Sequence, residues 1–159
     1  MAITIAGSVG NILDVNVTVD ISHPWDSDLN LFLLSPGGSI TVELSSANGG
    51  SGDNYASTVF DDGAATAITS GSAPFTGSFQ PEGSLADFIG TAADGVWTLS
   101  IVDTYTSGDH GVLNSWSLEI ETDSDNDGLT DGFVDDADGD GDTDAVDLLA
   151  VIGQWGMTC

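Results

Sequence analysis

Residues 15–21 read Val-Asn-Val-Thr-Val-Asp-Ile, with an apolar side chain at every second position. Because successive side chains of a β-strand point to opposite faces of a sheet, this stretch predicts a strand with one buried face and one wet face. The same alternation returns over residues 96–102 and 115–120, where Trp97 and Trp116 each begin an apolar series. These stretches predict an all-β fold.

Three further strands are predicted between these stretches, at residues 29–34, 40–44 and 56–60. Residues 29–34 are almost continuously apolar, which suits a central strand covered on both faces. A Ser-Pro-Gly-Gly turn at 35–38 and a Gly-rich polar loop at 45–54 separate strands. Many short strands with turn signals between them predict a jelly-roll-like β-sandwich.

The net charge of this chain limits the kinds of partner that it can bind. It carries 26 acidic residues and no lysine or arginine, for a formal net charge of −26. Nucleic acid is excluded as a partner, because no basic side chain is available to contact phosphates. No apolar run approaches the roughly 20 residues that span a bilayer, so membrane insertion is not expected. Two interpretations of the acidity remain: bound divalent cations such as Ca²⁺ neutralise the carboxylates, or an acidic surface holds hydration.

Composition divides the chain into two regions. Residues 1–121 carry the strand signals, and residues 122–159 carry a dense run of aspartates. Within the second region, residues 145–155 place apolar side chains on one helical stripe. A helix this short is not stable alone in water, so it is expected to dock on another surface. The single cysteine, Cys159, excludes a disulfide within the chain.

The strongest chemical signal is an aspartate-rich loop at residues 136–147. It places carboxylates at positions 1, 3, 5, 9 and 12 and glycine at position 6, which is the ligand pattern of an EF-hand-type calcium loop. Position 7 would contribute its backbone carbonyl. Hard oxygen ligands at this density favour Ca²⁺ over transition metals. The alternative is a solvated acidic linker. The predicted metal ligands are Asp136, Asp138, Asp140, Asp142, Asp144 and Asp147.

A second loop with the same spacing precedes the first. Its position 6 is Gly128, but its position 12 is Val134, which cannot bind a metal through its side chain. Asp135 would then substitute, or the two loops would share ligands, and a linker is again the alternative. The predicted ligands are Asp123, Asp125, Asp127, Asp131 and, through its carbonyl at position 7, Leu129.

Acidic residues in the loops of the first region form a third candidate site. An acidic pair without a basic partner is costly to bring together unless a cation bridges it. The hypothesis is that Asp28, Asp53, Asp61 and Asp62 contribute to at least one calcium site, and the alternative is that they are exposed loop acids.

Several ordered motifs of the first region resemble the P domain, also called P/Homo B, that follows the catalytic domain of proprotein convertases and many bacterial secreted proteases. The resemblance covers about residues 3–121. It implies a jelly-roll β-sandwich of about eight strands, often calcium-bound, with a stabilising or interaction role. The motifs are His23-Pro24-Trp25, Asp28-Leu29, Leu33 to Gly37, Val59 to Asp62, Ala73 to Gly77, Pro81 to Leu85, Gly95 to Leu99, Asp103 and Gly111 to Leu118.

The second region resembles two calcium-binding repeats. Residues 136–155 are similar to one loop-and-helix half of a dockerin, and residues 123–132 are similar to a thrombospondin type 3 repeat. A full dockerin has two such halves and binds a cohesin, whereas this chain has one predicted helix.

Three functions follow from these observations. The first is a secreted or cell-surface structural module that assembles through calcium into a homo-oligomer or fibre, or binds another extracellular protein. The second is a non-catalytic accessory domain of a secreted protease or hydrolase, and the third is a carbohydrate- or cohesin-type binding module. Catalysis is not expected, because the only side chains suited to act as general bases at neutral pH, His23 and His110, lack a nucleophile motif.

Overall fold

Strands form where the apolar alternation predicts them. The computed structural model describes residues 1–123 except residues 9, 106, 107 and 109. The strands of this part are β1 Ala2–Ile5, β2 Asn11–Ser22, β3 Leu29–Leu34, β4 Thr41–Ser46, β5 Tyr55–Phe60, β6 Phe75–Phe79, β7 Gly95–Asp103 and β8 Val112–Asp123. Short 3₁₀ turns lie at Asp26–Asp28, Pro36–Gly38, Ile68–Ser70 and Leu85–Phe88.

The eight strands form two four-stranded sheets. Sheet A has the order β1-β7-β3-β4, and sheet B has the order β6-β5-β2-β8. Neighbouring strands run antiparallel except β5 and β6, which are parallel. The longest pairing joins β2 to β8, from Asn11 opposite Asp123 to Ser22 opposite Val112. The chain is therefore a β-sandwich, as predicted.

The core lies between the inner faces of the two sheets. Sheet B contributes the alternating residues of β2, including Val15, Val17 and Val19. Sheet A contributes Trp97, whose indole N–H donates to the carbonyl of Ala93 at 2.8 Å. The edge of the Trp97 ring packs against Phe88 with centroids 5.0 Å apart. Burial of these apolar side chains provides the main stabilisation of the sandwich.

Six of the eight strands are those that the sequence predicts, and β1 and β6 are additional. Two details differ from expectation. Strand β3 is central in sheet A, but only its inner side chains are fully buried, while the outer Asn30, Phe32 and Leu34 are half-buried. Strand β8 extends to Asp123, two residues beyond the predicted end of the first region.

Candidate functional site

Most of the predicted calcium-loop ligands lie outside the described residues, so they remain predictions. They are Asp125, Asp127, Leu129, Asp131, Asp136, Asp138, Asp140, Asp142, Asp144 and Asp147.

Asp123 is the one residue of these loops that the structure describes. It is the last residue of β8, lies opposite Asn11 of β2, and is only 3% exposed. Position 1 of the predicted loop that begins at Asp123 is thus anchored in sheet B.

Asp28 ends the 3₁₀ turn that leads into β3. Its carbonyl oxygen accepts hydrogen bonds from the amide and the hydroxyl of Thr104, at 2.8 and 2.9 Å. Its side chain is half-buried. Through its backbone, Asp28 therefore joins the start of β3 to the segment that follows β7.

The neighbouring Asp26 is the most unusual acid of the described chain, because it is completely buried. Its Oδ1 accepts a hydrogen bond from the amide of Asn54 at 2.9 Å, while its Oδ2 has no hydrogen-bond partner. The Asp26 amide donates to the carbonyl of Gly52 at 2.9 Å, and the Ser27 amide donates to that of Gly50 at 3.2 Å. The Gly-rich loop at residues 45–54 thus packs around the carboxylate of Asp26.

Burial raises the pKa of Asp26 to about 6. The hydrogen bond from the Asn54 amide and the neighbouring His23 lower the pKa of Asp26, whereas the charge of Asp53 raises it further. Desolvation dominates because the neutral form of a buried carboxyl group is favoured over the charged form.

Close packing explains the glycine at position 49. Gly49 has φ of +85°, a conformation that L side chains rarely adopt, and an added Cβ would lie 2.9 Å from the Cβ of Asp26 and from the Phe75 ring. The loop therefore reaches Asp26 only with glycine at this position.

Asp61 and Asp62 hold turns within the sandwich. Asp61 Oδ1 accepts from the amide of Gly63 at 2.6 Å. The Asp62 carboxylate accepts from the Ser84 hydroxyl at 2.9 Å and from the amides of Leu85 and Ala86 at 3.0 and 2.9 Å. Asp62 therefore caps the 3₁₀ turn Leu85–Phe88, which carries the buried Phe88 into the core.

Replacing Asp62 by alanine is expected to lower the free energy of unfolding by about 1–2 kcal/mol, because the cap of this turn is lost. Urea titration followed by far-UV circular dichroism measures the change. Asp87→Ala is the matched control, since it removes one exposed charge from the same turn. Equal stability of the two variants would show that the cap contributes nothing.

Asp14 forms an acidic corner with Asp61 and Asp62. Burial is the largest cause that raises the pKa of Asp14, and the charges of Asp61 and then Asp62 add to it. Asn16 lowers the pKa by donating to Asp14 Oδ2 at 2.9 Å. Two acidic corners are thus present in the sandwich: Asp26 with Asp53, and Asp14 with Asp61 and Asp62.

Neither corner provides a complete calcium site within the described chain. No three acidic, histidine or cysteine side chains there converge in a way that could hold a metal ion. Calcium takes six to eight oxygen ligands. The structure brings Asp53 near Asp26 and Asp61 near Asp62, but it does not unite Asp28, Asp53, Asp61 and Asp62. Calcium binding by these four aspartates therefore stays a prediction, and Asp26 Oδ2 is closed off from solvent.

Histidine His23 is buried at one end of the sandwich. Its Nδ1 lies 2.9 Å from the carbonyl oxygen and 3.1 Å from the amide nitrogen of Trp25. Its Nε2 faces Asp103, with 3.6 Å between Nε2 and Oδ2. The ring is therefore fixed by Trp25 and Asp103. A cavity of about 420 Å³ lies beside this pair, and His110 also lines it.

Comparison with protein families identifies the sandwich. Residues 12–120 match the family model of the proprotein convertase P-domain. The chain belongs to this family. The P domain is a non-catalytic accessory domain of proprotein convertases, which are proteins of the secretory pathway. Comparison with curated proteins and with solved structures returned no match.

The matched range of this P domain runs from the start of β2 to the end of β8, so it includes both acidic corners and the His23–Asp103 pair. Within the described residues, no helix is long and apolar enough to cross a membrane.

Sequence reasoning did not identify three features of this P domain. The sequence does not reveal that Asp26, rather than the predicted calcium ligand Asp28 in the same short turn, is the completely buried acid. The cap at Asp62 joins residues more than twenty positions apart, and the His23–Asp103 contact spans eighty. Only the absence of any lysine or arginine indicated that some carboxylates would lack a partner.

Proposed function

We propose that this P domain is a non-catalytic accessory module of a secreted protease or hydrolase. The family match over residues 12–120 is the observation that carries the proposal. The environment of His23 supports it, because the ring contacts Trp25 and Asp103 rather than a hydroxyl or thiol nucleophile. An accessory domain acts by stabilising or positioning the catalytic domain to which it is joined.

Mass spectrometry of the secreted native protein tests this proposal. The expected product is a polypeptide larger than 16.2 kDa that also contains a hydrolase domain. A secreted product consisting of this chain alone would overturn it. The purified chain is also expected to show no turnover on a panel of peptide, ester and glycoside substrates.

Calcium is the ligand that we propose for the region after the sandwich. The aspartate spacing of residues 136–147 supports a calcium loop, and the net charge of −26 supports a need for cations. Asp123 supports a connection between the upstream predicted loop and the sandwich, because it is buried at the end of β8. Calcium bound there would restrain the exit of the chain from sheet B.

Calcium removal is expected to lower the stability of the chain. A ligand that binds only the folded state at one hundred times its Kd stabilises that state by about 2.7 kcal/mol. Thermal unfolding in calcium and in chelator measures the loss, and Asp138→Asn with Asp140→Asn should reduce the difference. Asp87→Asn is the control outside the loops. Identical melting curves in calcium and chelator would contradict calcium binding.

Assembly through calcium on a cell surface or in a fibre is the second candidate function. Its support is electrostatic: copies that each carry −26 repel one another unless cations lie between them. Strand β8 adds support, because among the described strands it lies at the edge of sheet B and pairs only with β2.

The expected result for this second candidate is a reversible increase in light scattering when calcium is added, and its loss with chelator. Magnesium at equal concentration controls for simple charge screening. Monomers at every calcium concentration would exclude assembly while leaving the accessory role intact.

A further inference from the structure

The cavity beside His23 lies between the two sheets at the end where β7 finishes and β8 begins. Its apolar lining comes from both sheets. Ile21 on β2 and Leu99 on β7 are fully buried, while Ile101 on β7 and Leu113 on β8 are partly exposed. A volume of about 420 Å³ lies within the range of small-ligand sites, which is about 300–1,000 Å³. Val112 also lines the cavity and is 60% exposed, so the mouth reaches the surface.

The cavity lining includes one carboxylate, that of Asp103. The Asp103 side chain is 26% exposed, so solvent and ligands reach it. Its Oδ1 accepts from the amide of Tyr105 at 3.0 Å. Its Oδ2 lies 3.6 Å from His23 Nε2, which is longer than a hydrogen bond, so Oδ2 retains the capacity to accept one from a ligand.

Close packing holds His23 in position against Asp103. An added Cβ at Gly111 would lie 2.6 Å from His23 Cδ2 and 3.0 Å from the carbonyl oxygen of Ser22. The backbone of Gly111 therefore lies directly against the His23 ring, and a larger residue would clash with it. This contact fixes the polar end of the cavity relative to its apolar walls.

Charge decides which ligands suit the cavity. The chain has no lysine or arginine side chain that could neutralise Asp103. The amino terminus of Met1 also lines the cavity, but it donates to the carbonyl of Leu99 at 2.8 Å. An anionic ligand would enter against the field of a protein with net charge −26, whereas a cation would be drawn toward the carboxylate. A metal ion is not suited, because apolar side chains make up most of the walls and three metal-binding side chains do not converge in the described residues.

We propose that this cavity binds a primary ammonium group carried on an aliphatic chain, as in a lysine side chain or a small alkylamine. The methylene chain packs against Ile101, Val112 and Leu113, which line the cavity and are partly exposed, and the ammonium donates to Asp103 Oδ2. Charge-assisted hydrogen bonds of this kind are stronger than neutral ones. The proposal is independent of calcium and of the accessory role.

Titration of the full-length, ¹⁵N-labelled chain, followed by NMR chemical shifts in 150 mM NaCl, tests the proposal. Salt at this concentration screens diffuse attraction to the acidic surface beyond about 8 Å. Hexylammonium is expected to shift the amides around the cavity and to saturate. Hexanol, which has the same chain without the charge, is expected to bind about tenfold more weakly or worse.

Variants assign the effect to the cavity. Asp103→Asn is expected to reduce the difference between hexylammonium and hexanol to less than about threefold, because the neutral amide no longer favours the charged head group. Leu113→Phe is expected to weaken both ligands by reducing the volume. Asp87→Asn removes an exposed charge elsewhere and is expected to change neither affinity.

The source of the ammonium is distinguished by a second pair of probes. Nα-acetyl-lysine methylamide represents a lysine in a partner polypeptide, and its ε-acetylated form is the neutral control. Saturable binding of the lysine probe as tight as that of hexylammonium would assign a protein partner, and binding of hexylammonium alone would assign small amines. Equal binding of charged and neutral probes, or shifts unaffected by Asp103→Asn, would overturn the proposal.

Discussion

Replacing Trp97 by alanine is expected to lower the free energy of unfolding by about 3–5 kcal/mol, the range seen for large buried aromatic residues. Trp97 is fully buried, packs edge-on against Phe88, and donates its indole N–H to Ala93. Alanine would leave a cavity and an unpaired carbonyl between the sheets. Domains of this size have total stabilities of about 5–15 kcal/mol, so the variant would be close to unfolding.

Urea unfolding followed by far-UV circular dichroism measures this loss without depending on tryptophan fluorescence. Trp97→Phe is expected to recover roughly half of the loss, because it restores the ring but not the hydrogen bond to Ala93. Trp25→Ala is the matched control, since Trp25 is 45% exposed and should cost far less. A loss under 1 kcal/mol for Trp97→Ala would mean that this packing does not hold the sandwich together.

Raising the pH from 4 to 7.5 is expected to remove about 2 kcal/mol of the roughly 3 kcal/mol of stability contributed at Asp26. The folded pKa of Asp26 is about 6 and its ordinary value is 3.8, so the folded state binds the proton more tightly than the unfolded state. This contribution is fully present below the ordinary pKa and is lost as the pH rises through about 6. The shift of about two units corresponds to about 3 kcal/mol.

Urea titrations at several pH values check this expectation with Asp26→Asn. The variant should lose less stability than the native chain between pH 4 and 7.5, because its amide does not titrate. Asp87→Asn removes an equal charge from the surface and should keep the native slope. Parallel pH profiles for all three proteins would show that Asp26 does not titrate with a raised pKa.

The strands that the sequence predicts share a visible local pattern. In residues 15–21 and 96–102, apolar and polar side chains alternate because one face of each strand is buried. This periodicity is the most direct signal of a strand in a sequence. The missed strand β6 reads Phe-Thr-Gly-Ser-Phe and has three exposed residues in its middle. Its position is set by parallel pairing with β5 instead, which no local pattern reveals.

The candidate site was less predictable than the fold, because its features depend on long-range contacts. Asp26 and Asp28 are chemically identical and two residues apart, yet the 3₁₀ turn buries only Asp26 completely. The capping of the turn at Leu85–Phe88 by the Asp62 carboxylate was not predicted, because it joins distant residues; metal binding by Asp62 remains a prediction. The calcium-loop spacing of residues 136–147 is a feature of the linear sequence alone, and calcium binding by this loop remains a prediction.

The pairing of β2 with β8 has a consequence for biosynthesis. Strand β2 emerges early in translation, but the neighbour that completes its sheet is the last strand of the sandwich. Sheet B therefore cannot close on a nascent chain until Asp123 has been synthesised and has left the ribosome tunnel. Such sequence-distant pairings make folding slow, on the order of milliseconds to seconds. Throughout that interval the hydrogen-bonding edge of β2 that β8 will occupy remains unpaired, and chaperones or the export machinery have time to engage it.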